Sequence, residues 1–565
     1  MEPVQEKRWK IAPVVPSYLA EELKDYSPVT RQLLYNRGIT SKVEAEHYLQ
    51  ADLPGYSPFL LSGMTEVVDR LLYAVDHREK IAIYGDYDVD GVTATTLMVE
   101  ILQAYGAGVQ WYIPNRFDEG YGLNADAVRE LHERGVDVLL TVDCGIRSPG
   151  EARLAAQLGM DMIISDHHHP GSELPEAVGV ICPKQAGNVY PYEHLSGVGL
   201  AFKIAEALLL RRPLVGVSAH NWLDLVALGT VADVVPLTGE NRSLVRKGLE
   251  ILKQSNREGI LALARVAGLK LPSIESSHIG FILGPRLNAA GRVESAKAAV
   301  ELLLARDLFQ AGILAQQLDA QNRERQRLTQ EVQERAIEIA SAGKSDYLIM
   351  AFDPTFNPGV VGLAASRLVE LYYRPAIVGQ SEEDAGQTCA SCRSIPEFHI
   401  TRALDQCAEL LERHGGHQAA AGFTVRNENL PVLQERLSSI AEQTLGNLDL
   451  IPSLHADMEL PLSEIQPEVL WDLRRLQPTG EGNPEAFFVS RGVQVKDARC
   501  VGARGEHLKL SLVDGRIVWD AIAFRQGHHI QNMPRFVDVL YTLEQNTYNG
   551  NTTLQLRVRD LKPAQ

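Results

Sequence analysis

Three short stretches of this chain concentrate side chains able to hold a divalent cation. The first is Gly85-Asp86-Tyr87-Asp88-Val89-Asp90-Gly91, with carboxylates at i, i+2 and i+4. The second is Thr141-Val142-Asp143-Cys144-Gly145, and the third is Ser165-Asp166-His167-His168-His169-Pro170. A fourth acidic point, Asp233, lies in the otherwise apolar run Leu228–Pro236, where an unpaired carboxylate would cost several kcal/mol. Taken singly, each has a plain structural reading: an acidic turn caps a helix, an Asp after a strand is an N-cap, and a lone His is a satisfied polar residue. Coincidence at three successive strand ends points to chemistry instead, because like charges so close resist ionisation unless cations offset them. Carboxylates with imidazole suit Mn²⁺ or Mg²⁺, whereas zinc more often recruits thiolates. Two such ions can turn water into hydroxide and stabilise the oxygens of an in-line displacement at phosphorus, so the reaction class is phosphoester hydrolysis.

The elements that must position these residues are strands alternating with helices. Apolar runs Ile81–Tyr84, Val138–Val142 and Met162–Ile164 alternate with helical stretches Ala125–Arg134 and Pro149–Leu158, which predicts a mostly parallel α/β sheet with its ligands at the carboxyl ends of the strands. A helix is expected to begin near Val92. Residues 1–75 read as a helical lead-in, 76–317 as the α/β catalytic domain and 318–342 as a charged connecting helix without Gly or Pro. Residues 343–450 read as a second, smaller α/β domain. After Pro452, short strands (508–513, 518–524, 537–543, 552–558) separated by Gly, Asn and Asp turns predict a small β-barrel over 451–565.

At 565 residues the chain is too long for one core and calls for about three or four domains. With 45% hydrophobic and 22% charged residues it has the balance of a soluble globular protein. The first ten residues carry no apolar leader and no run of about 18 uncharged apolar residues occurs, so a cytoplasmic setting is expected. Six scattered cysteines give no disulfide framework, and the one CxxC, Cys389 and Cys392, lacks a second pair for zinc and a thioredoxin-like setting for redox chemistry. A net charge of −17 excludes a protein that coats nucleic acid by bulk attraction. Any nucleic-acid site must be local, and residues 491–565 offer one, with 11 Lys+Arg against 7 Asp+Glu, a local +4.

The ordered set DYDVDG, VDCG, DHH and GTVADVVPL resembles motifs I to IV of the DHH phosphoesterases. That resemblance implies Asp88, Asp90, Asp143, His167 and Asp233 as metal ligands. Asp86 would act as a direct ligand or from one position further out, Asp166 would orient His167, and His168 would face the scissile phosphate; His169 receives no role. Gly415-Gly416-His417 resembles the GGH signature of the DHHA1 domain, whose glycines and histidine approach substrate phosphate; without the family it is a turn before a strand. Further stretches resemble the RecJ family of single-strand DNA exonucleases: Ile113–Arg116, Gly284–Arg292, Ser391–Ser394 and the Pro478-Thr-Gly-Glu-Gly-Asn-Pro484 run before an oligonucleotide-binding (OB) barrel. By that resemblance Arg116, Ser391 and Arg393 hold a 5′-phosphate end, Arg286, Asn288 and Arg292 line the strand's path, and Gly416 and His417 contact substrate. Arginine suits bidentate phosphate recognition, although any one of these could instead be salt-bridged into an acidic surface. Trp519, Phe524, Phe536, Tyr541 and Tyr548 are available as stacking platforms, though aromatics in a small barrel are more often core. Cys392 stands where that motif usually has a small apolar residue.

The resemblance implies a monomeric 5′→3′ exonuclease that degrades single-stranded DNA to 5′-mononucleotides with two Mn²⁺ or Mg²⁺ ions, in DNA recombination and repair. Single-strand-binding protein and a repair helicase would be its partners. The alternatives are a DHH phosphodiesterase for short oligonucleotides or cyclic dinucleotides, and an inactive scaffold on the same fold.

Overall fold

The computed structural model describes residues 6–51, 53, 55–115, 119–120, 122–293, 295–342, 346–548 and 551–564. The first 75 residues do not form a separate lead-in. Strand β1 (Arg8–Ile11) pairs in parallel with Ser453–Ala456, far along the chain. Helices Ser17–Glu22, Pro28–Asn36 and Lys42–Gln50 bury Leu19, Leu33, Leu34 and Leu49 in the same core as Phe488, Leu510 and Tyr541 of the C-terminal barrel. Helix Met64–His77 instead belongs to the catalytic core, through Met64, Val67 and Leu71. The reason is packing: three short helices cannot bury their apolar faces alone, and the barrel supplies the opposing surface.

The catalytic sheet is wholly parallel. Its strands are β2 (Ile81–Gly85), β3 (Val109–Tyr112), β4 (Val138–Val142), β5 (Asp161–Ser165) and β6 (Gly179–Ile181), in the spatial order β3-β2-β4-β5-β6. β2 and β4 are buried at every residue, as strands covered on both faces must be, and this is why they appear as unbroken apolar runs. The helix after β2 starts at Val89, three residues earlier than expected, because Asp88 caps it. Leu223–Ala232, which leads to Asp233, is a helix buried through Thr230.

The connecting helix runs from Leu308 to Ala342, ten residues longer than the predicted 318–342. Gly312 sits within it with nothing near its open side, and one such glycine costs only about 1 kcal/mol. The second sheet mixes directions, in the order β10-β11-β9-β8-β7, from β7 (Ile349–Phe352), β8 (Ala376–Glu382), β9 (Gln387–Arg393), β10 (Leu411–Gly416) and β11 (Ala420–Arg426). β12 (Ser453–Ala456) and β13 (Met458–Glu459) precede the barrel, made of β14 (Phe488–Val501), β15 (His507–Asp514), β16 (Ile517–Ala523), β17 (Phe536–Tyr548) and β18 (Asn551–Pro563). β14 pairs with both β15 and β17, and β16 pairs with β18 in parallel, so these five strands close on themselves. Among the described residues no helix is long and apolar enough to cross a membrane.

Candidate metal centre and phosphate pocket

The acidic clusters converge beyond the carboxyl ends of β2, β4 and β5. Asp88 uses one oxygen for capping: its Oδ1 accepts from the Asp90 and Gly91 N–H groups at 2.9 and 3.1 Å. Asp90 is fully buried and accepts from the Gly197 and Val198 N–H groups at 2.5 and 2.8 Å, at the N-terminus of helix Gly197–Arg211. Asp143 follows β4 with φ at +63°, the left-handed region that Asp tolerates better than most residues. Asp233 stands at the C-terminal end of helix Leu223–Ala232. His167 Nε2 lies 3.1 Å from Asp143 Oδ1, 3.5 Å from Asp233 Oδ2 and 3.9 Å from Asp90 Oδ2. Among the described residues, neither Asp143 Oδ1 nor His167 Nε2 has a hydrogen-bond partner, although both atoms are buried.

Buried polar atoms that face each other without a hydrogen bond are what a cation-binding site leaves. Asp90, His167 and Asp233 form one trio whose ligand atoms lie within 4.8 Å of one another, Asp86, Asp88 and Asp143 form a second, and Asp143, His167 and His168 form a third that spans the two. Asp143 and His167 adjoin where the trios meet, which suits two neighbouring ions. Burial, then the Asp88 charge, pushes Asp90 up to about 7; burial with Asp90 and Asp88 takes Asp233 to about 9 and Asp143 well above the carboxylate range. Burial lowers His167 to about 3, which leaves a neutral imidazole ready to coordinate. The cluster therefore cannot ionise fully without added positive charge, and its oxygen and imidazole donors fit Mn²⁺ or Mg²⁺. Cys144 takes no part: its sulfur faces the Tyr84 carbonyl oxygen at 3.8 Å.

One expected pairing is corrected. Asp166 orients His168, not His167. Its Oδ1 accepts from the His168 N–H at 3.0 Å and meets His168 Nδ1 at 2.7 Å, while Oδ2 accepts from the Ile146 N–H at 2.9 Å. A carboxylate closing a turn onto the residue two further on reaches that residue's side chain more easily than its immediate neighbour's. Burial is the largest single effect and lowers His168, but the Asp166 hydrogen bond and charge, with the charges of Asp88 and Asp90, together outweigh it and raise the group. The ring stays 41% exposed.

The residues expected to bind phosphate divide. Ser391 and Arg393, two apart on β9, share a face; a Cβ placed on Gly362 would lie 3.0 Å from Arg393 Nη2 and 3.5 Å from Ser391 Oγ. They therefore meet at the start of helix Val361–Tyr372, the end that favours anions. Cys389 and Cys392, three apart on a strand, point to opposite faces, and Cys392 is buried in the core. Gly416 (φ +145°) has no room for a side chain, since a Cβ would lie 2.4 Å from the Ala420 carbonyl oxygen; the exposed His417 follows it. Arg286, expected along the strand's path, is instead committed to Asp319 on the connecting helix, with Nε to Oδ1 at 3.0 Å. Asn288 accepts from the Val89 N–H at 3.1 Å and so supports the helix that carries Asp90. Arg116 and the Arg292 and Tyr548 side chains lie outside the described residues.

Sequence reasoning passed over three contributors. Gly197 and Gly229 let helices close on the carboxylates: a Cβ on Gly197 would lie 2.6 Å from Asp143 Cβ, and one on Gly229 would lie 2.8 Å from Asp90 Oδ1. Lys184, in the turn after β6, brings positive charge to bear on His167, His169 and Asp233, and His417 and Arg147 likewise act on His169. The three-residue β6 is too short to register as a strand, which hid the turn.

The fold and this site define a metal-dependent phosphoesterase of the DHH class. Residues 80–230 match the DHH family N-terminal domain, 344–443 the DHHA1 domain and 456–560 the RecJ OB domain. The chain is 39% identical over 546 residues to the single-stranded-DNA-specific exonuclease RecJ of Bacillus subtilis, covering 96% of this chain and 69% of that protein. It is 35% identical over 560 residues to RecJ of Escherichia coli, covering 95% and 96%. The crystal structure of RecJ in complex with Mn²⁺ from Thermus thermophilus superposes with a TM-score of 0.85 at 30% identity, covering 99% of this chain and 80% of that one. The chain belongs to the RecJ family.

Proposed function

We propose that this protein is an exonuclease specific for single-stranded DNA, using two Mn²⁺ or Mg²⁺ ions, entering at the 5′ end and releasing 5′-mononucleotides in recombination and repair. The observation that carries this reading is the pair of abutting donor trios joined at Asp143 and His167, in a chain related to RecJ proteins along nearly its whole length. Asp86, Asp88, Asp90, Asp143, His167 and Asp233 would hold the ions, whose bound state supplies acidified water and charge neutralisation at the phosphoryl oxygens. His168, fixed by Asp166 and favouring its protonated form, donates a hydrogen bond to a phosphate oxygen and offsets charge that develops there. Arg393 and Ser391 hold the terminal phosphate, joined by Arg116, and His417 closes on the strand from the other domain. Arg286, tied to Asp319, shapes the channel wall. The barrel, with its local +4, retains the strand. Single-strand-binding protein and a repair helicase are proposed as partners of a monomer acting in the cytoplasm.

The test is a polarity assay with Mn²⁺ or Mg²⁺ on single strands blocked at one end. Blocking the 5′ end should abolish hydrolysis and blocking the 3′ end should spare it. Degradation from the 3′ end would refute the terminal-phosphate pocket, and turnover of dinucleotides alone would favour a small-substrate phosphodiesterase.

A further inference from the structure

The run Pro478–Pro484 leads into the barrel, yet it packs against the segment that follows Asp233. The Glu481 carbonyl oxygen accepts from the Leu237 N–H at 2.7 Å, and the Thr479 carbonyl oxygen accepts from Ser276 Oγ at 2.7 Å. Gly480 and Gly482 allow this approach. A Cβ on Gly480 would lie 2.8 Å from Leu237 Cδ1; one on Gly482 (φ +67°) would lie 3.1 Å from Pro236 Cβ and 3.2 Å from Thr238 Cγ2. Asn483 holds the run in shape from inside. Its Nδ2 donates to the Leu476 and Pro478 carbonyl oxygens at 3.0 and 2.7 Å, and its Oδ1 accepts from Tyr48 at 2.7 Å and Arg37 at 3.1 Å. Arg242, in helix Gly239–Leu252 of the catalytic domain, donates to the Leu476, Pro478 and Arg475 carbonyl oxygens at 2.8, 3.0 and 3.1 Å.

On the far side of Pro236 the backbone is strained. Helix Leu223–Ala232 ends, Asp233 follows, and Val234 adopts φ +60° with the residue 64% exposed. A β-branched residue takes this conformation only where its surroundings impose it. Tyr192, whose hydroxyl meets the Pro236 and Thr238 carbonyl oxygens at 3.1 and 2.9 Å, holds the segment just beyond Val234 from one side. The 478–484 run holds that segment from the other.

We propose that Pro478–Pro484, clamped by Asn483 and Arg242, is a positioning element for Asp233, so that the metal centre reaches its working geometry only when the barrel is docked on the catalytic domain. This rests on the reading of Asp233 as a metal ligand. Asn483 and Arg242 are positioning residues that act through the loop.

Gly482→Ala tests the idea with little else changed. Gly515→Ala is the control: Gly515 has φ +61° and nothing within 4 Å of an added Cβ, so it carries the same backbone strain without the wedge. Calorimetric Mn²⁺ titration of the metal-stripped full-length protein should show Gly482→Ala binding about tenfold more weakly, and Gly515→Ala unchanged. The kcat of Gly482→Ala should fall on both a long single strand and a dinucleotide, with KM for the long strand unaltered. Arg242→Gln should do the same, and Arg242→Lys should recover part of the loss. If Gly482→Ala and Arg242→Gln only lower the melting temperature and keep native Mn²⁺ affinity while Asp233→Asn loses it, the positioning role is wrong. If Asp233→Asn itself binds Mn²⁺ natively, the ligand assignment beneath it fails and the proposal falls with it.

Discussion

Gly197→Ala should disable the enzyme while leaving it folded. The added Cβ would stand 2.6 Å from Asp143 Cβ and 2.7 Å from both Asp143 Cγ and Oδ1, against an ordinary contact that begins near 3.4 Å, so about 0.8 Å must be opened. Neither side yields easily. Asp143 is fixed by its left-handed backbone and by its N–H bond to the Ser165 carbonyl oxygen at 2.9 Å, and residue 197 begins a fifteen-residue helix. Overpacking of this kind costs about 1–3 kcal/mol, which a multi-domain protein survives. A misplacement approaching 1 Å at a reacting centre costs roughly 100-fold in rate. The Asp90 bond to the residue 197 N–H is kept in the variant, so any loss traces to the wedge. Gly199→Ala is the matched comparison, since its Cβ would meet Ser196 Oγ at 3.3 Å and Leu195 at 3.5 Å and should be tolerated. The assay is steady-state hydrolysis of a single strand with Mn²⁺, alongside calorimetric melting. A Gly197→Ala protein with more than half the native kcat and native Mn²⁺ affinity would show that the Asp143 carboxylate is not where the chemistry needs it.

Arg393→Ala should raise KM for 5′-phosphorylated strands by about 10- to 100-fold, as expected for a lost charge-assisted hydrogen bond, and change a 5′-hydroxyl strand far less; equal effects on both would remove Arg393 from the terminal pocket. His168→Gln should cut kcat by about 100-fold or more with Mn²⁺ affinity retained, measured by titration, because this ring is assigned to the phosphate; a parallel loss of metal binding would reassign it. For the metal-stripped protein, Asp90 and Asp233 are raised when folded, to about 7 and about 9. Their contribution to stability is thus complete below the unfolded value near 3.8 and is lost as pH climbs through those values. Melting temperature should fall between about pH 5 and about pH 9, and the rise produced by Mn²⁺ should grow over that range, since binding displaces protons; a rise that shrinks with pH would contradict the ligand set.

What could be read from the sequence followed from how local each signal is. β2, β4 and β5 were legible because strands buried on both faces carry no polar alternation. β14 was not. It spans fourteen residues, but register shifts at Ser490/Val493 and Val495/Asp497, with Arg491, Gln494, Lys496 and Asp497 facing outward or half-buried, break the period of two. The β1 pairing with Ser453–Ala456 leaves no local trace, because both partners are four-residue strands in separate parts of the chain. Among the arginines, residue type gave no guide to the partner. Arg393 meets a helix N-terminus and Arg286 meets Asp319, and only the fold separates them.

The carboxylates also show why capping and metal binding are not rival explanations here. Asp88 caps a helix through Oδ1, Asp90 receives two N–H donors from the next helix, Asp166 closes a turn, and Asp233 sits at a helix end. Each structural task fixes a carboxylate's direction, and a cap contributes about 1 kcal/mol of stability. Burial disfavours the same charges more strongly than that, as the upward shifts of Asp90, Asp143 and Asp233 record. A fold that needed only caps would leave them at the surface, where capping works equally well and desolvation is absent. Holding five acidic groups and a neutral imidazole close together, from segments spread between residues 86 and 233, is favourable only with cations present. The backbone hydrogen bonds determine where the oxygens point, and the metal ions make it tolerable that they point at one another.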